Sequence, residues 1–258
     1  MESILQKIVD RIERDEEENF SRFDPETFKL SRSKPVVPVP ERMENNFFTI
    51  AEVKRGSPSK GIIRNEFDPV FLAREYERAG AEAVSVITEK NFFYGSKTFL
   101  SEIRQNVAVP LLRKDFIIHQ RQLFEAYNLG ADIVLLIAAC LSRERLAELY
   151  RVAVSLGLHT LVEVHNEREL ETVLETGCTI IGINNRDLKT FNVDIERSFE
   201  LKKRVPDTFP VISESGIKKH EEIKRLKDEG FAGVLVGESL LVKEDVFTAF
   251  RELVYGKG

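Results

Sequence analysis

Cysteine is scarce in this chain: Cys140 and Cys178 are the two present among 258 residues. That number builds no disulfide framework, so a reducing compartment, the cytoplasm, is expected. The four histidines, His119, His159, His165 and His220, show no metal-ligand spacing and have no cysteine cluster beside them; no metal site is expected. No apolar stretch is long enough for a membrane span or a secretory leader. Positive charge is not in excess either. A formal net charge of −5 and an isoelectric point near 5.6 count against nucleic acid or an anionic membrane as partner. A glycine-rich dinucleotide fingerprint is missing after the first apolar run, which counts against an open, doubly wound sheet.

What the chain does have is apolar material for one large core. It is 42% hydrophobic, with 31% charged residues for the exterior, and its length suits a single α/β domain. Strands are expected at Phe48–Val53, Ala83–Ile87, Val109–Leu112, Ile133–Ile137, Thr160–Val164, Ile180–Ile183, Pro210–Ile212 and Gly233–Val236. Helix-period segments lie between them, among them 69–79, 120–129, 143–156, 167–176, 195–203 and 221–229. Gly80, Gly130, Gly157, Gly177 and Gly230 stand where a helix would close in the left-handed conformation. Strand and helix alternate eight times, the pattern of a (β/α)₈ barrel, a TIM barrel.

Residues 1–46 stand outside this repeat and 47–258 contain it. Ile4, Leu5, Ile8, Val9 and Ile12 fall on one helical face, so an N-terminal helical extension is expected to pack on the barrel. The acidic run Asp15–Glu18 reads as a solvated helix end, and the proline-spaced 35–40 as an extended link.

In such a barrel, chemistry belongs at the carboxyl ends of the strands. Alternation puts Glu52 and Lys54 on one side of the first strand, and Leu112 and Lys114 on one side of the third. Glu163 ends the fifth strand and Asn184 the sixth. Two amines, two carboxylates and an amide therefore converge on one rim. A nearby cation should lower a lysine's pKa there and an apolar mouth should raise a carboxylate's, suiting both to proton transfer. The last two strands end in Ser213-Glu214-Ser215-Gly216 and Val236-Gly237-Glu238-Ser239, glycines beside polar residues that let backbone N–H groups approach an anion. Phosphate commonly sits in these two loops of a barrel. His165 reads as an ordinary loop histidine and Cys140 as a small buried hydrophobe. Phe92, Phe93 and Phe116 either wall an aromatic ligand or pack under the loops.

Taken in order, the motifs Ile-Ala-Glu-Val-Lys-Arg-Gly-Ser-Pro-Ser, Ser-Val-Ile-Thr-Glu-Lys, Leu-Leu-Arg-Lys-Asp-Phe-Ile, Leu-Val-Glu-Val-His, Gly-Ile-Asn-Asn-Arg-Asp-Leu, Ser-Glu-Ser-Gly-Ile and Leu-Val-Gly-Glu-Ser-Leu resemble the indole-3-glycerol-phosphate synthase family. The resemblance implies a barrel lyase without cofactor or metal, a decarboxylase of tryptophan biosynthesis. It would convert 1-(2-carboxyphenylamino)-1-deoxyribulose 5-phosphate to indole-3-glycerol phosphate, CO₂ and water. By this likeness Lys114 matches the general acid on the ribulose carbonyl. Lys54 matches the partner of the substrate carboxylate, with Glu52 holding it, and Glu163 the acid or base of dehydration. Asn184 and Ser215 match hydroxyl-binding residues, with Arg186 and Glu214 near them. Ser57, Gly216, Gly237 and Glu238 match the phosphate cradle, although some family members carry a hydroxyl residue at the last. Pro58, Phe93, Phe116, Leu135 and Leu188 match the walls around the anthranilate ring. The partner implied is a small phosphorylated molecule, with a functional link to other tryptophan-pathway enzymes. Phosphoribosylanthranilate isomerase and a non-catalytic phosphate-ligand binding protein are the competing readings. The two lysines, together with Glu163, speak against both.

Overall fold

The computed structural model describes residues 3–188 and 190–256; the outermost ends of the two expected segments, 1–2 and 257–258, lie outside them. Eight parallel strands close into a barrel in chain order: β1 Phe48–Val53, β2 Ala83–Ile87, β3 Leu111–Lys114, β4 Ile133–Ile137, β5 His159–Val164, β6 Ile180–Asn184, β7 Val211–Glu214 and β8 Gly233–Val236. Registers Phe48↔Gly233 and Ile50↔Ala83 join β1 to β8 and β2 and so complete the ring. Two strands begin later than the sequence suggests. Pro110 and Pro210 have no N–H to give to the ladder, so β3 and β7 start after them, and each runs on to a charged residue, Lys114 or Glu214.

The helices are α1 Ile4–Ser21, α2 Pro40–Asn45, α3 Pro69–Ala79, α4 Lys97–Asn106, α5 Gln120–Leu129, α6 Arg143–Ser155, α7 Glu167–Leu174, α8 Glu196–Lys202, α9 His220–Asp228, α10 Glu238–Leu241 and α11 Val246–Tyr255. Local chemistry sets their ends. Asp68 Oδ1 accepts from Phe71 N at 2.9 Å and Pro69 opens α3, while Gly80 closes it at φ +100°. The other four expected glycines, Gly130, Gly157, Gly177 and Gly230, also have positive φ. Inside the barrel Phe48, Ile50, Leu112, Leu135, Leu161, Ile212 and Leu235 pack together. A larger apolar layer lies between strands and helices.

The N-terminal segment travels the full height of this barrel. At the mouth, Ile8 of α1 is buried and the Phe20 ring stacks on His119 with centroids 4.3 Å apart. Glu16 departs from the expected solvated run: it is half-buried and pairs with Lys97 at 3.2 Å and Arg121 at 3.4 Å. Phe23 and Phe28 then descend along α5, both with edge contacts to Phe124. At the floor Asp132 is fully buried. Its Oδ1 accepts from Arg32 Nη2 at 2.5 Å and Val37 N at 2.9 Å, and its Oδ2 from Arg104 Nη1 and Leu111 N, both at 2.8 Å. Four donors on one carboxylate satisfy its lone pairs, which is what makes a dry ion pair tolerable. The link then places Val39, with 0% exposure, among the inner core residues. Only 35–39 of the expected extended link stays non-helical, because Pro40 starts α2.

Breaking a buried pair by removing one charge costs about 3–5 kcal/mol. Asp132→Asn should therefore lower the unfolding free energy by about 3 kcal/mol in a urea titration. A loss below about 1 kcal/mol, the range of an exposed pair, would show that the floor contact does not hold the extension.

Candidate active site

Just above the apolar filling, the same inward-facing rows turn charged. Two residues beyond Ile50, Leu112, Leu161 and Ile212 stand Glu52, Lys114, Glu163 and Glu214, carried to the same face by the strand period. Lys54 Nζ donates to Glu52 Oε2 at 2.5 Å. Lys114 Nζ donates to Glu163 Oε2 at 3.1 Å and to Glu214 Oε2 at 3.4 Å. The three glutamates are 4%, 2% and 1% exposed, so three carboxylates share two amines out of water.

That imbalance reverses the pKa expected for the lysine and splits that expected for the carboxylates. Burial works against the Lys114 charge, yet Glu163, Glu214 and Glu52 together hold its pKa well above the ordinary lysine range. Burial works against Glu163 as well, but Lys114 and then His165 keep it well below the carboxylate range. At Glu214 burial prevails: aided by the charge of Glu163 and only partly offset by Lys114, it pushes the group up to about 8. One acid of the pair therefore stays ionised while the other keeps a proton at neutral pH.

Two glycines make room for these acids. A Cβ on Gly182 would stand 2.1 Å from Glu214 Oε1, and one on Gly237 would stand 2.5 Å from Glu52 Oε2 and 2.9 Å from its Cβ. Gly237 thus also admits the Glu52 side chain, a role its place in the anion-binding loop did not suggest. Gly216 has φ +82° and a Cβ there would strike Val193. Ser215 before it takes φ +67° without being glycine, a costly conformation. Asn185 restrains that turn, its Nδ2 donating to Ser215 O at 3.0 Å and to Ser213 Oγ at 3.1 Å.

The charged centre opens into a cavity of about 630 Å³. Every expected site residue except Glu214 lines it: Glu52, Lys54, Ser57, Pro58, Phe93, Lys114, Phe116, Leu135, Glu163, Asn184, Arg186, Leu188, Ser215, Gly216, Gly237 and Glu238. Glu214 is reached through its contact with Lys114. Ile4, Leu5 and Ile8 of α1 complete the wall. Phe93 and Phe116 lie with centroids 6.0 Å apart, whereas Phe92 falls outside the cavity, beside Lys7 and Arg11 of α1. Glu238 does not point away from the mouth. Lys60 Nζ donates to its Oε1 at 2.6 Å and Arg186 Nη2 to its Oε2 at 3.4 Å, and these cations hold its pKa down against partial burial. Among the described residues no group of three or more His, Cys, Asp or Glu is arranged to hold a metal ion.

Some participants escape a reading of sequence alone. Glu89 is buried, and its carboxylate accepts from the backbone N–H groups of Asn91, Phe92 and Phe93 at 2.7–2.9 Å; it sets the loop that presents Phe93. His165 is not a surface histidine. Its side chain is 8% exposed, with Nε2 3.2 Å from Glu163 Oε1 and Nδ1 3.1 Å from Glu169 Oε2. Cys140 is half-buried against the inner core, and burial raises its thiol far above the range in which it ionises.

Amines and acids gathered at the carboxyl-terminal mouth of a parallel barrel stand where barrel enzymes carry their chemistry, and they are groups suited to proton transfer. Residues 1–253 match the family model described as Indole-3-glycerol phosphate synthase. A curated relative of that name from Acetivibrio thermocellus is 45% identical over 255 residues, covering 96% of this chain and 98% of its own. Another, from Alkaliphilus metalliredigens, is 48% identical over 207 residues, covering 80% and 79%. The chain belongs to the indole-3-glycerol phosphate synthase family. It is a carboxy-lyase of tryptophan biosynthesis, which sets aside the isomerase and the non-catalytic binding protein. Among solved structures, KGPDC from Streptococcus mutans superposes with a TM-score of 0.61 at 10% identity, over 80% of this chain and 95% of that one; this likeness is one of fold.

If the Gly237 notch serves Glu52, Gly237→Ala should lower kcat about tenfold or more by displacing the Lys54 partner, a sub-ångström misplacement being costly in catalysis. Steady-state indole-3-glycerol phosphate formation followed by fluorescence decides this. A raised KM with unchanged kcat would instead place the added methyl in the path of substrate.

Proposed function

We propose that Lys114 is the general acid and Glu163 the proton acceptor for the family reaction, ring closure of 1-(2-carboxyphenylamino)-1-deoxy-ribulose 5-phosphate with loss of CO₂ and water. The observation that carries this reading is the Lys114 ammonium set between two buried carboxyl groups, 3.1 Å from Glu163 Oε2 and 3.4 Å from Glu214 Oε2. Ring carbon attacks the ribulose carbonyl carbon only as its oxygen gains a proton, and Lys114 Nζ supplies it. The ring carboxylate leaves as neutral CO₂, its bonding electrons restoring the ring, so the overall reaction consumes one proton. In dehydration Lys114, recharged by a proton from solvent, protonates the hydroxyl as it leaves as water. Glu163 takes a proton from the adjacent substrate carbon, whose bonding electrons form the ring double bond.

The other residues bind and orient. Lys54, steadied by Glu52, pairs with the substrate carboxylate until it leaves. Asn184 and Ser215 bind hydroxyls, with Arg186 and Glu214 near them. Pro58, Phe93, Phe116, Leu135 and Leu188 flank the anthranilate ring. Ser57 and the backbone at Gly216, Gly237 and Glu238 take the phosphate. Lys60 and Arg186 neutralise Glu238 there, so its charge need not repel the ligand. We place the protein in the cytoplasm, linked by its substrate and product to the other tryptophan-pathway enzymes. The extension and the barrel act as one domain. Among the described residues no helix is long and apolar enough to cross a membrane.

General acid catalysis contributes about 10²–10⁴-fold. Lys114→Ala should therefore cut kcat by at least about 10²-fold while circular dichroism shows the barrel retained. Activity within about tenfold of wild type would remove Lys114 from this role. Glu163→Gln keeps shape and polarity without basicity. It should depress kcat far more than it raises KM, and a change in KM alone would make Glu163 a binding residue.

A further inference from the structure

Both Glu163 and Glu214 contact Lys114, at 3.1 and 3.4 Å, so the lysine does little to distinguish them. Their other oxygens differ. Glu214 Oε1 is buried without a hydrogen-bond partner, in the notch left by Gly182. Glu163 Oε1 has His165 Nε2 at 3.2 Å, an ion-pair contact whose angle falls short of a hydrogen bond. The imidazole is itself anchored. Glu169, in the first turn of α7, accepts from His165 N at 2.8 Å and lies 3.1 Å from its Nδ1 through the same Oε2. Asn166 Nδ2 donates to the other oxygen of Glu169 at 2.6 Å, so the carboxylate behind the histidine is fixed on both sides.

We propose that His165, held by Glu169, is a positioning residue: its imidazolium keeps Glu163 ionised and aimed at Lys114, and thereby decides that Glu163 rather than Glu214 accepts the substrate proton. This rests on the reading of Glu163 as proton acceptor. Glu163 is faced by Lys114 from β3, Asn184 from β6 and Glu214 from β7. His165 is faced by Glu163 at the end of its own strand and by Glu169 on α7. The Cys140 thiol after β4 feels both of those acids and is neutral. Within this set the histidine adds the one cation that acts on Glu163 and not on Glu214. Burial opposes its charge, but Glu163 and Glu169 raise it to about 9, so it is charged at neutral pH and the contact is ionic.

The test compares wild type, His165→Gln, Glu169→Gln and Glu163→Gln. It reads kcat and KM across pH and the imidazole ¹⁵N shifts of His165. At neutral pH the wild-type imidazole should be protonated, and in Glu169→Gln it should release its proton at lower pH. His165→Gln should lose about tenfold or more in kcat with KM within about threefold, and its acid limb should move to higher pH by about one unit, because losing a close cation favours the protonated carboxyl. Glu169→Gln, at a less buried position, leaves the imidazole charged on the acid side but should move the alkaline limb to lower pH, where the less supported imidazole gives up its proton, and it carries the test if His165→Gln fails to fold. A neutral wild-type imidazole, or variant pH profiles that superpose on wild type, would overturn the proposal. If that happens while Glu163→Gln is inactive, the positioning role alone fails. If Glu163→Gln stays within about tenfold of wild type, the reading of Glu163 itself fails, and this proposal with it.

Discussion

A surplus of buried negative charge governs the mouth of this barrel. Glu52, Glu163 and Glu214 are removed from water against the ammoniums of Lys54 and Lys114, while the His165 imidazole in contact with Glu163 is itself matched by Glu169. Carboxylates in a low-dielectric site cannot all remain ionised at neutral pH without cations to match them. One must therefore keep a proton, and the surrounding contacts select Glu214. Its neighbours follow from that requirement: two glycines that leave space for acid side chains, a histidine behind Glu163, and strands that begin late enough to end on Lys114 and Glu214. Without the lysines the three acids would repel one another. Without the acids Lys114 would be an uncompensated charge and would shed its proton.

The rigidity this charge cluster needs comes from below and outside. Arg113, next to Lys114 but on the opposite face of β3, is fully buried and contacts Asp115 at 3.0 Å and Glu125 at 2.9 Å. It also donates from Nε to Thr88 Oγ1 at 3.2 Å and from Nη1 to the Gln122 carbonyl at 2.9 Å. Alternation thus gives one short strand two duties: an inward ammonium for the cavity and an outward guanidinium that ties β2, β3 and α5 together. The floor repeats the principle with reversed sign, one carboxylate of Asp132 gathering two guanidiniums and two backbone donors.

The parts of this arrangement legible in the sequence are those governed by short-range period. Alternation placed Glu52 with Lys54 and Leu112 with Lys114, and the glycines after the helices marked the returns into the barrel; each of those glycines has the left-handed backbone expected. Proline shifted β3 and β7 because its missing donor acts on the ladder rather than on the hydrophobic pattern. What depends on residues far apart in sequence was not legible. His165 looks like a loop residue until Glu169 and the wall of the barrel close around it, and Gly182 looks like any strand glycine until Glu214 arrives from the neighbouring strand. The pKa of Lys114 was expected to fall because the nearby amine was visible in the sequence, while the contacts of Glu163 and Glu214 with it exist only in the closed ring. Sequence parity shows which side chains face inward, but not how many charges meet there.

The path of the N-terminal segment also bears on the order in which the molecule is made. Residues of α1 and the link leave the ribosome ahead of the barrel, yet their partners lie far downstream: Arg32 meets Asp132 across 100 positions, and Glu16 meets Arg121 across 105. A helix carrying Ile4, Leu5 and Ile8 on one face therefore emerges with nothing to cover it until β4 and α5 have been synthesised. Contacts of such separation form slowly and late. A segment made ahead of the barrel is thus among the last to find its place, and during that interval its apolar face is open to chaperones and to other nascent chains.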